Sequence, residues 1–422
     1  MSHRMRSHMK RLLVITLSMG AVAALAGPVP QAPGLLPTAI VRPLLELNPS
    51  VAAARAGLQV AREEAGILDS SPYEWTAKLS SSRRTLQSDD TRHQEWNAGV
   101  ERALRLPGKA AADRNLGQAT MAEAEARYGE AMHEAARELL SLWLDWLGAE
   151  GARELAAANL QSAQENLAVV EKRLRAGDAA KLDVSLAQAE LAEHKRADND
   201  AKTQATVAWA RLHARFPGLD RQFATMPTPV PLAEAPAFWR DRILAESDEL
   251  KIAQAQLQKA QAQGERRRAD RVPDPTLGLY TASEIGGRER ITGITISMPI
   301  PGSQRNRRAA QAVHAAEAAR QEVELKKRQL DAEIAGAIAT TQGAYESSQI
   351  AEAGASAMQN NGKLMQRAYS LGEADLQALL LVRRQATTAA QSALAAKTAA
   401  IRSYYLLLID AHLVWDLEHE RY

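Results

Sequence analysis

The chain has 422 residues, of which 52 are basic and 50 acidic, and the two signs are interspersed to a formal net charge of +2. That balance excludes a nucleic-acid-binding patch, and zero cysteines exclude disulfides, thiolate metal sites and a lipid-modified N-terminal cysteine. Aromatics are only 4% of the residues, while long runs of Ala, Leu, Gln, Glu and Arg favour extended helices packed on small side chains over one bulky core.

Residues 1–26 read as an export signal. Arg4, Arg6, Lys10 and Arg11 precede the apolar run from Leu12 to Met19, and Ala24-Leu-Ala26 supplies a small-residue cleavage site. Residues 27–47 are Pro-rich and expected to be extended, with Pro28, Pro30, Pro33, Pro37 and Pro43. No later stretch holds about 18 consecutive apolar residues, so no transmembrane helix is expected.

A first repeat is expected over 48–215. Asn48-Pro49 opens a short helix running to about Leu68, with Asn as cap and Pro in the first turn. The period then changes to two. Trp75, Ala77 and Leu79, and later Trp96, Ala98 and Val100, alternate with polar residues or Gly, which predicts a β-hairpin over about 72–106 with a polar connection from Ser81 to Gln94. Strands of roughly ten residues are long enough to cross an outer membrane.

Leu106-Pro-Gly108 ends the hairpin, and the proline-free stretch 109–176 predicts one helix of roughly 100 Å. Leu160, Ala163, Leu167, Val170 and Leu174 alternate steps of three and four, the seam of a coiled coil. Gly177 falls where a helix end needs positive φ, Arg173 and Arg175 lie at the negative end of the helix dipole, and Asp178 is expected to begin the return helix 178–215. Pro217, Pro227, Pro229, Pro231 and Pro236 mark a linker over 216–238.

Residues 239–422 repeat this programme. A short helix runs from Leu250 to about Arg268, a hairpin over about 275–300 carries Leu277, Leu279, Tyr280, Ile294 and Ile296, and a long helix spans 304–371. Gly372 and Glu373 then open a return helix 373–422. Gly302 follows Gly108 by 194 residues, Gly293 follows Gly99 by 194, and Gly372 follows Gly177 by 195, so rods and strands were duplicated together. Four strands cannot span a membrane as an open sheet, because the edge groups would go unpaired in hydrocarbon. Three chains would supply twelve strands and close them. Trp75, Trp96 and Tyr280 suit an interfacial aromatic girdle on that barrel.

Leu47-Asn-Pro49, the two Pro-Gly strand exits and the tips Arg175-Ala-Gly-Asp178 and Tyr369-Ser-Leu-Gly-Glu373 together resemble the TolC-like outer-membrane factors, across essentially all of the chain after the signal. The run Leu379-Leu-Leu-Val-Arg-Arg384 looks most like the CzcC-like and CusC-like heavy-metal subgroup. The resemblance implies a mainly α fold with membrane β. It would form a homotrimer in which a twelve-stranded barrel in outer-membrane lipid is continued by a periplasmic α-helical barrel. It also implies a passive efflux duct joined to a periplasmic adaptor and an inner-membrane pump of the RND type. Arg175, Gly177, Asp178, Leu371, Gly372 and Glu373 would dock the adaptor, and Asp183 and Tyr369 would close the duct. The family archetype has an Arg and two carboxylates where this chain has Ala374, Ala378 and Leu381, so no acidic ring is implied at those places.

A different class, a periplasmic coiled-coil scaffold or pump adaptor, would account for the rods but not for two hairpins with so little other β. His412 and His419 stand seven apart without a ligand cluster in sequence, so no metal site is expected. No phosphate loop, nucleophile triad or paired-carboxylate constellation is visible, so neither a cofactor nor catalysis is expected.

Overall fold

The computed structural model describes residues 34–222, 225–415 and 417. The export signal, Pro28, Pro30, Pro33 and His419 lie outside the described residues. Among the described residues, eight α-helices and four strands follow in chain order, with a short 3-10 turn (Ile285–Gly287) between the last two strands: α1 (Thr38–Glu46), α2 (Pro49–Asp69), β1 (Thr76–Thr85), β2 (Arg92–Ala103), α3 (Pro107–Ala176), α4 (Lys181–Arg215), α5 (Pro236–Glu246), α6 (Asp248–Ala269), β3 (Thr276–Glu284), β4 (Glu289–Ser297), α7 (Ser303–Leu371) and α8 (Leu376–Asp410). The order α2-β1-β2-α3-α4 recurs as α6-β3-β4-α7-α8.

The two rods, α3 with 70 residues and α7 with 69, are each roughly 105 Å long. Each is accompanied by a short helix (α2 or α6) on the half nearer the strands and a 35-residue return helix (α4 or α8) on the other half. Neither partner spans the full rod, so the middle is covered by other segments. There α3 contributes Leu139, Leu140, Trp143, Leu144, Trp146 and Leu147 to the main apolar cluster. The residues before and within α1, the linker, α5 and the segment after α8 close over them. The Trp415 indole N–H donates to the Leu36 carbonyl at 2.8 Å and fastens the segment before α1 to the segment after α8 there.

Three local expectations are corrected. Residues 27–47 were expected to be extended, yet α1 forms after Pro37 with Pro43 inside it, because Val41, Leu44 and Leu45 bury completely or nearly so against the rod and outweigh one missing N–H. The linker 216–238 ends earlier than expected. Pro236 is not its last breaker but the first residue of α5, a favoured place for proline. The polar stretch Ser81 to Gln94 is mostly strand: Ser81 pairs with Trp96 and Thr85 with Arg92, which leaves only residues 86–91 as the connection.

The last helix also ends before the expected 422, at Asp410, where the chain turns back towards the middle cluster. Among the described residues the four strands make one antiparallel sheet in the order β1-β2-β3-β4. The sheet draws on both repeats, since β2 pairs with β3 from Trp96 opposite Ser283 to Ala103 opposite Thr276.

Candidate functional site

The sheet has two chemically different faces. Register places Leu79, Ala98, Thr281 and Thr292 in one row, and Ala77, Val100, Leu279 and Ile294 in the next, all on one side. Leu79, Leu279, Ile294 and Ile296 on this side are 83%, 60%, 72% and 70% exposed, an apolar surface left uncovered among the described residues. Trp75 and Trp96 share its parity and stand at its lower and upper limits, roughly 20 Å apart along the strand.

The opposite face is polar and cross-linked. Lys78 pairs with Glu101 at 2.6 Å, and Arg84 pairs with Glu95 at 2.9 Å and with Glu284 at 3.2 Å. Tyr280 lies on this polar side and not with the two tryptophans, which corrects its place in the girdle. Its strand neighbours are Gly99 and Gly293, and a Cβ at Gly293 would sit 2.7 Å from the tyrosine ring. The duplicated glycines therefore make room for one aromatic ring laid across the polar face.

Where the strands meet the rods, a charged cluster binds the two repeats. Lys109 of α3 is only 2% exposed and reaches Asp274 at 2.9 Å and Asp270 at 3.6 Å, both in the second repeat. The Tyr73 hydroxyl donates to Asp274 at 2.5 Å, and the Leu106 N–H donates to its other oxygen at 3.1 Å. Burial pushes Asp274 up, but hydrogen bonds from Tyr73, Lys109 and Leu106 outweigh it and hold the carboxyl below the usual range. Burial, and then donation to that carboxylate, raise Tyr73 to about 12. Arg105 pairs with Asp113 at 3.2 Å and donates to the carbonyls of Leu68 and Asp69, which seats α2.

At the far end of the rods the two tips are built alike. Gly177 and Gly372 take φ of 86° and 77°. The Asp178 N–H returns to the Arg173 carbonyl at 2.8 Å and the Glu373 N–H to the Ala368 carbonyl at 2.9 Å, so both helices end in the same left-handed cap. Arg175, Gly177, Asp178, Leu371, Gly372 and Glu373 are all exposed at this end.

Asp178 and Glu373 do not start the return helices as expected. α4 begins at Lys181, where Asp183 accepts from the Ala180 N–H at 2.9 Å, and α8 begins at Leu376, where Asp375 accepts from the Ala378 N–H at 2.7 Å. A capping acceptor has to follow the glycine turn by enough residues to face the orphan N–H groups.

Asp183 and Tyr369 make no hydrogen bond to each other among the described residues. Tyr369 is 4% exposed in a small cluster with Val170, Ala187, Leu376 and Leu379. The Arg173 guanidinium lies 4.8 Å from its ring centroid and donates to its carbonyl at 3.3 Å, clasping the first tip to the second. Leu381 is 56% exposed.

The structure also gathers one group that the linear reading missed. His133 and His412 are remote in sequence, yet their rings lie 5.6 Å apart among carboxylates in the middle of the molecule. The available signal was Glu130-x-x-His133, a spacing that places both side chains on one helical face.

A long-helix duplication carrying a two-faced sheet at one end matches the family model described as outer membrane efflux protein, over residues 40–215 and 239–407. The chain belongs to the outer membrane efflux protein family. Comparison with curated proteins finds no match. Among solved structures, the Campylobacter jejuni CmeC outer membrane channel is 15% identical with a TM-score of 0.73 over 90% of this chain and 86% of that one. The Neisseria gonorrhoeae MtrE outer membrane channel, solved in its open state, is 18% identical with a TM-score of 0.71 over 90% and 89%. CusC is 17% identical with a TM-score of 0.72 over 88% and 91%.

These likenesses establish the TolC-like fold. Family membership makes the chain the outer-membrane component of a tripartite efflux system, a transport component and not an enzyme, with a periplasmic helical portion. Members of this family form trimeric channels that work with periplasmic adaptors and inner-membrane pumps. The scaffold alternative is thereby set aside. No described helix is long and apolar enough to cross a membrane.

Proposed function

We propose that three copies join β4 of one chain to β1 of the next and close a twelve-stranded barrel, with the rods continuing below it as an α-helical duct. The observation that carries this reading is the sheet itself, apolar on one side, ion-paired on the other, and with β1 and β4 each paired on one side only among the described residues. In hydrocarbon those edge groups need partners, and neighbouring copies supply them. Size-exclusion chromatography with light scattering in detergent should give a protein mass near three times 45.8 kDa, less any cleaved signal. A stable monomer would overturn the reading.

The exposed tip residues dock the adaptor, and an RND-type pump drives the flow. Tyr369, held by Arg173, and Asp183, in the first turn of the facing hairpin, keep the tips closed. The double variant Asp183→Ala, Tyr369→Ala should raise closed-state conductance in planar bilayers severalfold, and an unchanged value would remove both from the gate. Heavy-metal cations are the cargo class, supported by the resemblance of the run 379–384 to the heavy-metal subgroup. A deletion strain should become sensitive to divalent metals, and sensitivity to dyes and detergents alone would overturn that assignment.

A further inference from the structure

In the strand-proximal half of α3, Glu130 and His133 stand one turn apart with Glu134 beside them. One ligand atom from each of the three lies within 4.8 Å of the others. The i, i+3 pairing of Glu with His is a spacing by which a helix in a bundle offers two metal ligands inward. All three line a cavity of about 310 Å³ whose other walls come from α5, the start of α6, α7, the end of α8 and the segment after it. Six carboxylates and two imidazoles face it against a single guanidinium, that of Arg137. Arg137 is itself shared between Asp410 and Glu134, and Lys326 and Lys251 reach Glu249 and Asp248 from outside the cavity, which leaves Glu130 and Glu333 as carboxylates with no ion pair among the described residues.

The polar atoms here are incompletely satisfied. Glu130 Oε2 and His412 Nδ1 are buried and have no hydrogen-bond partner among the described residues, and the buried His133 Nε2 has only Asp410 Oδ1 beside it, at 3.3 Å. The His412 side chain is only 5% exposed, and its Nε2 lies 3.7 Å from Asp248 Oδ2. Its backbone takes φ of 51°, a left-handed conformation rare for a residue with a Cβ. Buried polar atoms are nearly always paired, so two orphans converging on one carboxylate-rich cavity point to a cationic occupant.

We propose that Glu130, His133, Glu134 and His412 bind one divalent first-row transition-metal cation of the zinc class. A mixed imidazole and carboxylate set suits such ions, whereas calcium and magnesium prefer oxygen alone. The ion would satisfy the orphan atoms and offset the crowded carboxylates. It would also tie the segment after α8 to the long rod of the first repeat. Asp248, beside the other nitrogen of His412, is placed to fix the orientation of that ring. The site goes beyond the duct function and does not depend on which cargo passes through the duct.

The test uses the full chain in detergent, stripped with a chelator and titrated with Zn²⁺ alone by calorimetry and with Co²⁺ by visible absorption. One ion per chain at micromolar affinity or tighter is expected, with Co²⁺ ligand-field bands. His133→Gln and His412→Gln should each weaken Zn²⁺ binding at least tenfold, while His314→Gln on exposed α7 surface leaves it unchanged. Circular dichroism and elution volume check folding, and His412→Gln, near the chain end, decides the matter if His133→Gln does not fold. Absence of stoichiometric Zn²⁺ binding, equal binding by both variants, or Ca²⁺ binding as tightly as Zn²⁺ would overturn the proposal.

Discussion

Lys109 shows how one residue can hold a repeat protein together. A lysine ammonium at 2% exposure is tolerable only because Asp274 and Asp270 reach it from the other repeat, and removing one partner from such a pair typically costs about 3 kcal/mol or more. Asp274→Asn should therefore lower the thermal midpoint of the detergent-solubilised protein, at a cost of about 3 kcal/mol near pH 7. The pH dependence follows from the depressed Asp274 carboxyl. Its stabilisation is complete above the unfolded value of about 3.9 and is lost as the pH falls through the lower folded value. The gap between wild type and variant should thus be full at neutral pH and shrink below about pH 4. A gap that stays constant from pH 7 to pH 3 would mean that the carboxylate charge is not what stabilises the junction. Nothing in the linear pattern marked Lys109 or Asp274, because their partnership is made only when the two hairpins lie side by side.

At the scale of elements, the hairpins were legible in the sequence because alternation is a local property. Trp75, Ala77 and Leu79 announce a strand whatever the tertiary structure does. The face on which an isolated aromatic lands is not local in that sense, and Tyr280 was misplaced for this reason: its side is fixed by parity with Leu279 and by the glycines opposite it. α5 escaped notice because Pro231 and Pro236 read as continuous linker, although Trp239 and Ile243 stand one turn apart and bury on the middle cluster. Both tips were legible as helix ends from their glycines, while the carboxylates that accept at the helix starts, Asp375 as the cap of α8 and Asp183 in the first turn of α4, lay a few residues beyond the first acidic residue. Because a Cβ at Gly293 meets the Tyr280 ring, Gly293→Val should cost about 1 to 3 kcal/mol by overpacking and lower the yield of heat-resistant oligomer on semi-denaturing gels. Adding Tyr280→Ala should restore it. A double variant no better than Gly293→Val would show that the glycine serves the backbone and not the ring.

At the scale of the whole molecule, rods and sheet are separable in their energetics. The main cluster, with Trp143, Trp146 and Tyr405 at its centre, draws no residue from any strand, so each chain can fold its helical middle before the membrane portion is complete. The strands carry a different requirement: in the proposed trimer their apolar side faces lipid and neighbouring copies pair their open edges. A charge on the lipid side at mid-depth costs about 2 to 4 kcal/mol, and a trimer meets that cost once in every chain. Ile294→Arg should therefore abolish membrane-inserted, heat-resistant oligomer while leaving the helical circular dichroism of the chain nearly intact. Thr295→Arg, one residue along β4 and pointing to the polar side, should assemble close to normally. Measured side by side in membrane fractions, the pair isolates the facing of the strand from the mere presence of a new charge. Equal loss in both variants would refute the assignment of the two faces, and with it the closed barrel built on that assignment.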